Sequence, residues 1–251
     1  MRETESERTL PRTNQGNGPL QRLARRSGLH LRMYYGWKLR RVGKKLLGLL
    51  GVNPRTPPAP DVYGIQWGDP DASPDLQRFK NRFVLPYVDP KQWAIEIGPG
   101  GGRWTRHLLG FSRLYAVDCH RALLNELRKS VSARNVLCVE NDGTGFPGLA
   151  DHSIDYVFSF GAFVHMHMDV IEAYLVEIAR VLKPGGNVVL QYADKTKPGG
   201  QRNTGYADNT PVRMRALLSR CGYRVLEEDL TTFGDSAIVR CTRSASMSGS
   251  E

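Results

Sequence analysis

From Gln92 onward the chain alternates short apolar runs with longer amphipathic stretches, and the first run ends on a loop made almost entirely of glycine. The runs are Ala94 to Ile97, Leu114 to Val117, Val136 to Val139, Ile154 to Phe160 and Val188 to Tyr192. Between them the spacing predicts helices over about Arg103 to Leu109, Ala122 to Val131 and Val170 to Leu182, the last ended by Lys183-Pro184-Gly185-Gly186. Another helix is expected to start at Thr210, as N-cap, with Pro211 in its first position. Tyr223 to Leu226 and Ser236 to Cys241 read as two last strands, near enough in sequence to pair antiparallel. Strands alternating with helices imply an α/β fold with a parallel sheet covered on both faces.

A chain of 251 residues suits one such domain with an extension. The charge marks where the extension lies. Residues 1–51 carry +9 of the formal +10, and the rest is almost neutral. We therefore divide the chain into a basic arm, 1–60, and a main domain, 61–251. Within the arm, residues 1–19 lack an apolar pattern and read as disordered. Residues 20–50 repeat Leu31, Tyr35, Leu39, Val42, Leu46 and Leu49 at helical spacing, with a basic face, and residues 53–60 (NPRTPPAP) form a proline-rich linker. A lead-in helix is expected at roughly Pro74 to Val84. The arm has three readings: a helix lying on anionic lipid, a phosphate-binding surface for nucleic acid, or a face that caps the site or forms a homodimer. Nucleic acid is the least favoured. No apolar run approaches the roughly 20 residues that span a membrane. The four cysteines form no C-x-x-C pair, and no secretion signal is evident, so a cytoplasmic protein is expected, peripheral at the inner face of the membrane if the arm binds lipid.

The glycine loop is AIEIGPGGGRWT, residues 94–105. Glycine allows a tight turn and close approach of backbone to ligand. A G-x-G-x-x-G pattern from Gly98 would need glycine at 103, where Arg103 stands, and the G-K-[ST] of a phosphate loop is absent. What remains is Glu96 with Gly98, Gly100 and Gly102. A carboxylate ending the first strand would repel a pyrophosphate and tolerate a cationic cofactor. Asp118 ends the second strand, twenty residues after Gly98, where an acid can accept both hydroxyls of a ribose. Asp142, ahead of Gly143, follows the third strand and can accept from an adenine amine.

In this order, AIEIGPGGGRWT, LYAVDCH, ENDGTGFP, HSIDYVFSFGAFVHM and VLKPGGNVVL resemble the successive motifs of class I S-adenosylmethionine-dependent methyltransferases, over about residues 92–243. The resemblance implies a Rossmann-like sheet of seven strands, mostly parallel, with the last strand inserted antiparallel. It implies S-adenosylmethionine as cofactor, held by Glu96, Gly98, Gly100, Asp118, Asp142, Gly143 and the backbone near Phe160. Tyr63 and Trp67, before the first strand, stand where segments of similar enzymes fold over the cofactor, and an aromatic ring attracts a sulfonium.

The acceptor is read from the loop after the fourth strand. It lacks the Asn/Asp-Pro-Pro-aromatic motif of amine methylation on bases, the Pro-Cys of base C5 chemistry and the paired glutamates of arginine methylation. It does hold His165 and His167. Neutral imidazole is a suitable general base near pH 7. His165 is our first choice and His167 the second, with packing roles for both left open. Residues 191–211 form a long polar segment of the kind used as a lid or binding loop. Its Tyr192, Asp194, Arg202, Asn203 and Tyr206 suit a polyhydroxylated acceptor, and Asp194 with a histidine would suit Mg²⁺. The whole resembles polysaccharide-modifying O-methyltransferases, such as those of mycobacterial methylmannose polysaccharide assembly. The expected reaction is methyl transfer to a hydroxyl of a sugar or oligosaccharide. Another small molecule, a phenol, lipid or natural product, is the alternative, with RNA behind it.

Overall fold

A computed structural model describes residues 62–244. The arm, its amphipathic helix and the linker lie outside the described residues. Seven strands form one sheet in the order β3-β2-β1-β4-β5-β7-β6. They are β1 (Trp93–Ile97), β2 (Arg113–Asp118), β3 (Val136–Glu140), β4 (Ile154–Ser159), β5 (Leu182–Ala193), β6 (Tyr223–Asp229) and β7 (Ser236–Arg243). The first five run parallel, and β7 lies antiparallel between β5 and β6. This is the expected class I methyltransferase architecture, including the inserted antiparallel strand.

The helices are α1 (Pro74–Phe83), α2 (Arg121–Ser130), α3 (Met168–Val181), α4 (Pro198–Arg202) and α5 (Pro211–Arg220). Side chains alternate across each strand, so one run of apolar residues feeds two cores. Ile95, Ile97 and Val157 face α3 and α5, meeting Ile171, Leu175, Ile178 and Leu217. Ala94, Tyr156 and Phe158 face the other way, against Phe79 and Phe83 of α1 and Trp104. Each fully buried Val, Leu, Ile or Phe among them contributes about 1.5–3 kcal/mol of hydrophobic stabilisation. α1 begins with proline in its first turn and buries Leu76, Phe79 and Phe83 on one stripe. α5 begins as its sequence predicts, with Thr210 accepting from the Arg213 amide at 3.3 Å.

Two expectations need correction. No helix covers Arg103 to Leu109; a single 3₁₀ turn, Thr105–His107, stands there. The segment sits between Gly102 and Gly110, too short to repay helix nucleation, and its amides reach back three residues: His107 to Trp104 at 2.8 Å and Leu108 to Thr105 at 2.9 Å. Lys183-Pro184-Gly185-Gly186 does not merely end the helix. α3 stops at Val181, and those four residues already belong to β5, whose register with β4 shifts between Ile154 and Tyr156.

The polar segment after β5 is also not an open loop. Lys195 Nζ donates to the Gly200 and Asn203 carbonyls at 2.8 and 2.9 Å, and Lys197 Nζ to those of Phe233 and Ser236 at 2.8 and 2.6 Å. The segment is further pinned to the turn after β4: the Ala207 amide donates to Val164 O, and Asn209 Nδ2 to Met166 O, both at 2.8 Å. At Gly200 a Cβ would stand 2.0 Å from the Asp194 carbonyl oxygen, so only glycine lets α4 fold back this closely.

Candidate active site

The strand order reverses between β1 and β4. A crevice at such a switch point is where open α/β sheets bind ligands. Here it is a cavity of about 580 Å³. Its volume lies within the range of sites for small molecules and cofactors.

One wall is the glycine turn. Gly98 has φ +72°, and a Cβ on it would stand 2.5 Å from Ala162 Cβ, so glycine lets the β1 and β4 loops touch. Gly100 lies under the ring of Tyr63, which is buried and meets Trp67 edge-on, ring centroids 5.4 Å apart. Behind the turn, Glu96 is 2% exposed and accepts from Thr105 Oγ1 at 2.6 Å. Burial is the main cause that pushes its carboxyl up to about 7; the Thr105 bond and the Arg103 charge act against it.

The next wall is the end of β2. Asp118 lines the cavity and is almost buried. Its Oδ1 accepts from the His120 amide at 2.8 Å and lies 3.0 Å from His120 Nδ1. The bond to Asp118 and then the contact with Cys119 push the His120 imidazole up to about 10, so it is a cation at neutral pH. Asp142 and Gly143 do not line this cavity. Asp142 Oδ1 instead accepts from the Thr144 and Gly145 amides, 3.0 and 3.3 Å, inside its own turn.

The opposite wall is the turn after β4 with the polar segment packed on it. Phe160, His165 and His167 line the cavity, as do Asn203 and Tyr206. His165 Nδ1 lies 2.8 Å from the Gly205 carbonyl, and its ring meets Tyr206 edge-on at 5.4 Å. A carbonyl only accepts, so Nδ1 carries the proton in the neutral ring and Nε2 carries the lone pair. His167 is the N-cap residue of α3. Tyr192, Asp194 and Arg202 are not brought to the cavity. The Tyr192 side chain packs in the core with Leu190 and Met214, its hydroxyl without a partner among the described residues. Asp194 is 1% exposed and accepts from the Thr196 amide and hydroxyl at 3.0 and 2.6 Å. Arg202 ends α4 on the surface. Asp194 therefore meets no histidine in a ligand set; among the described residues, Asp118, Cys119 and His120 form the one group close enough to hold a metal ion.

Several cavity residues carried no sequence signal for a site. Gln191 bridges the loops, accepting from the Gly161 amide and donating to Ser236 Oγ, both at 2.8 Å. Phe233 and Asp235 arrive from the turn before β7. Arg103 was visible only as the residue that breaks the dinucleotide pattern. His120, two residues beyond Asp118, could have been found from that spacing.

The site fits S-adenosylmethionine. The glycine turn permits close backbone approach, Asp118 stands at the end of β2, and Tyr63 and Phe160 offer ring faces to a cation. When bound, the cofactor supplies an electrophilic methyl on sulfur.

Comparison with known proteins agrees. Residues 95–190 match a family model described as a methyltransferase domain. A search of curated proteins found no match. Among solved structures, a methyltransferase from Mesorhizobium loti that depends on S-adenosylmethionine is similar at 15% identity and TM-score 0.57, covering 69% of this chain and 100% of that one. A methyltransferase of Aquifex aeolicus, also dependent on S-adenosylmethionine, is similar at 19% identity and TM-score 0.53, covering 66% of this chain and 87% of that one. DhpI, solved as its complex with SAH, is similar at 20% identity and TM-score 0.56, covering 72% of this chain and 88% of that one. No helix among the described residues is long and apolar enough to cross a membrane. With its family match over residues 95–190 and the cavity at the β1/β4 switch point, the chain carries a methyltransferase domain, in the fold of the S-adenosylmethionine-dependent methyltransferases it is similar to.

Proposed function

We propose that the protein transfers the methyl group to a hydroxyl oxygen of a sugar or oligosaccharide, with His165 as general base. The observation that carries the reading is the bond between His165 Nδ1 and the Gly205 carbonyl, 2.8 Å. It fixes the ring and its tautomer, so that Nε2 can take the hydroxyl proton as the oxygen attacks. His167 on the same wall is the second candidate. Asn203 and Tyr206 supply polar contacts, and half-exposed Trp67 at the rim supplies an aromatic surface for a sugar ring. On this reading Glu96, Gly98, Gly100, Asp118, Tyr63 and Phe160 serve the cofactor, and Asp142 and Gly143, outside the cavity lining, are left for its adenine end.

A second reading, a phenol or another small apolar alcohol, is favoured by the aromatic lining, to which Trp104, Phe160, Tyr174 and Phe233 belong. The test is transfer from methyl-labelled S-adenosylmethionine to separated glycan, small-molecule, lipid and RNA fractions, with and without Mg²⁺. Label in glycan is expected. Label confined to another fraction overturns the sugar acceptor and names its replacement. The basic arm and anionic lipid can be tested together by sedimentation of the full chain with acidic vesicles; loss of binding on deleting residues 1–51 is expected, and no binding by the full chain overturns lipid contact.

A further inference from the structure

Arg103 has no role in the chemistry above, yet it is 7% exposed and is the one lysine or arginine among the described residues lining the cavity. Its guanidinium lies 5.4 Å from the Phe160 ring centroid and 5.9 Å from that of Trp104. Its protein hydrogen bonds are two long ones, both from Nη1, to the Trp67 and Gly68 carbonyls at 3.2 and 3.3 Å. No carboxylate among the described residues lies within ion-pair distance of it, and Nε and Nη2 have no protein acceptor there. Glu96 and Asp69 act on it only from beyond ion-pair distance; a nearly buried cation without a hydrogen-bonded carboxylate is costly, and a planar fork of donors matches a carboxylate or phosphate. The acids of the same cavity are already engaged. Asp75 pairs with Arg78, Asp118 with His120, and Asp235 accepts from Ser236 and Tyr206. Burial lowers the guanidinium to about 10, which leaves it charged at neutral pH.

We propose that Arg103 is the anchor for an anionic group on the methyl acceptor, so that the substrate is an acidic molecule, such as a uronic acid or phosphorylated sugar, rather than a neutral one. Phe160 and Gly161, beside which the guanidinium lies, belong to the turn after β4 that also carries His165. An anion held by Arg103 would orient the acceptor so that its hydroxyl, not its acid, meets the base. Arg103 acts as a specificity residue. The identity of the anchored acid as a sugar rests on the function proposed above; the anchoring of an anion does not.

The test loads the full chain with S-adenosylhomocysteine and compares melting temperatures with matched probes: glucuronate against glucose, and benzoate against benzyl alcohol. At about ten times its dissociation constant an acid should raise melting by about 2–4 °C, and its neutral partner should not. Arg103→Gln should lose that rise and Arg103→Lys keep part of it, while both bind S-adenosylhomocysteine within twofold of wild type. Equal responses to acids and neutrals in the wild-type protein overturn the proposal. So does a tenfold loss of S-adenosylhomocysteine affinity in Arg103→Gln, because the guanidinium would then serve the cofactor's own carboxylate. Sorting labelled products by charge separates this proposal from the sugar acceptor. Label in an acidic product that is not a glycan keeps the anchor and discards the sugar; label in a neutral glycan does the reverse.

Discussion

The glycine turn after β1 and the polar segment that follows β5 border the same cavity, and they reach it by different physics. Gly98 to Gly102 act through backbone alone, where missing Cβ atoms let Tyr63 and Ala162 approach. The segment from Asp194 to Asn209 acts through side chains satisfying carbonyls both within it, at Gly200, and outside it, at Ser236. The first kind of wall is local in sequence and tolerates little substitution. The second also joins pieces 30 or more residues apart, as with Gly205 and His165, forty positions apart in sequence. A wall of that kind can change its side chains, and so its acceptor, while the cofactor wall stays as it is.

The sharpest way to break this division is His165→Ala. It should lower turnover by about 10²–10⁴-fold, the usual worth of a general base. Its S-adenosylhomocysteine affinity should match wild type, because that wall is separate. Normal turnover would remove His165 as base; lost cofactor affinity would show that the two walls are one.

Next in size is Asp118→Asn, expected to weaken cofactor binding by about tenfold or more, since hydrogen bonds to a charged group contribute about 1.5–3 kcal/mol. It also releases His120. That imidazole is raised to about 10 in the fold, so its contribution is full below its ordinary 6.5 and lost as pH rises through 10. The stability gap between wild type and Asp118→Asn should therefore be widest in mild acid and close towards pH 10 in thermal melts.

Glu96→Gln gives a comparable figure in stability alone. The Glu96 carboxyl is raised from 4.5 to about 7, so the folded protein holds a proton that the unfolded chain releases. Stability of the cofactor-free wild type should fall between pH 4.5 and 7, by on the order of 3 kcal/mol, and then level off. Glu96→Gln should remove that slope. A slope unchanged in the variant would mean that another group causes it.

The smallest effect is expected at Tyr192→Phe. The lost hydroxyl is buried and has no partner among the described residues, so stability should hold or rise slightly, and turnover should stay within twofold. A large loss of activity would bring Tyr192 back towards the acceptor.

Most of the scaffold was legible before any coordinates. β1 and β4 differ from their expected spans by one residue at one end and β2 by one at each end, because continuous apolar runs ended by loops are an unambiguous signal for strands buried on both faces. The helix expected after the glycine turn was not legible as a 3₁₀ turn. Thr105 and Arg103 are turned inwards to Glu96 and the cavity, and pattern alone does not show which side chains the core will claim. In the polar segment, Asn203 and Tyr206 reach the cavity while Tyr192, Asp194 and Arg202 do not. Composition treated the five alike, since it records which donors exist and not which carbonyls they will meet.

The sequence by itself determined the order of strands and helices, the glycine turn and the acids at the strand ends, and through these the cofactor class. Each is a short-range pattern whose meaning depends on neighbours within a few residues. The tertiary structure decided that the Gly205 carbonyl sets the His165 tautomer, that Lys197 ties the polar segment to the turn before β7, and that Arg103 lies against Phe160 with no carboxylate of the described residues in ion-pair distance. Those contacts join residues that only the closed sheet brings together, and a buried charge acquires its meaning from what surrounds it.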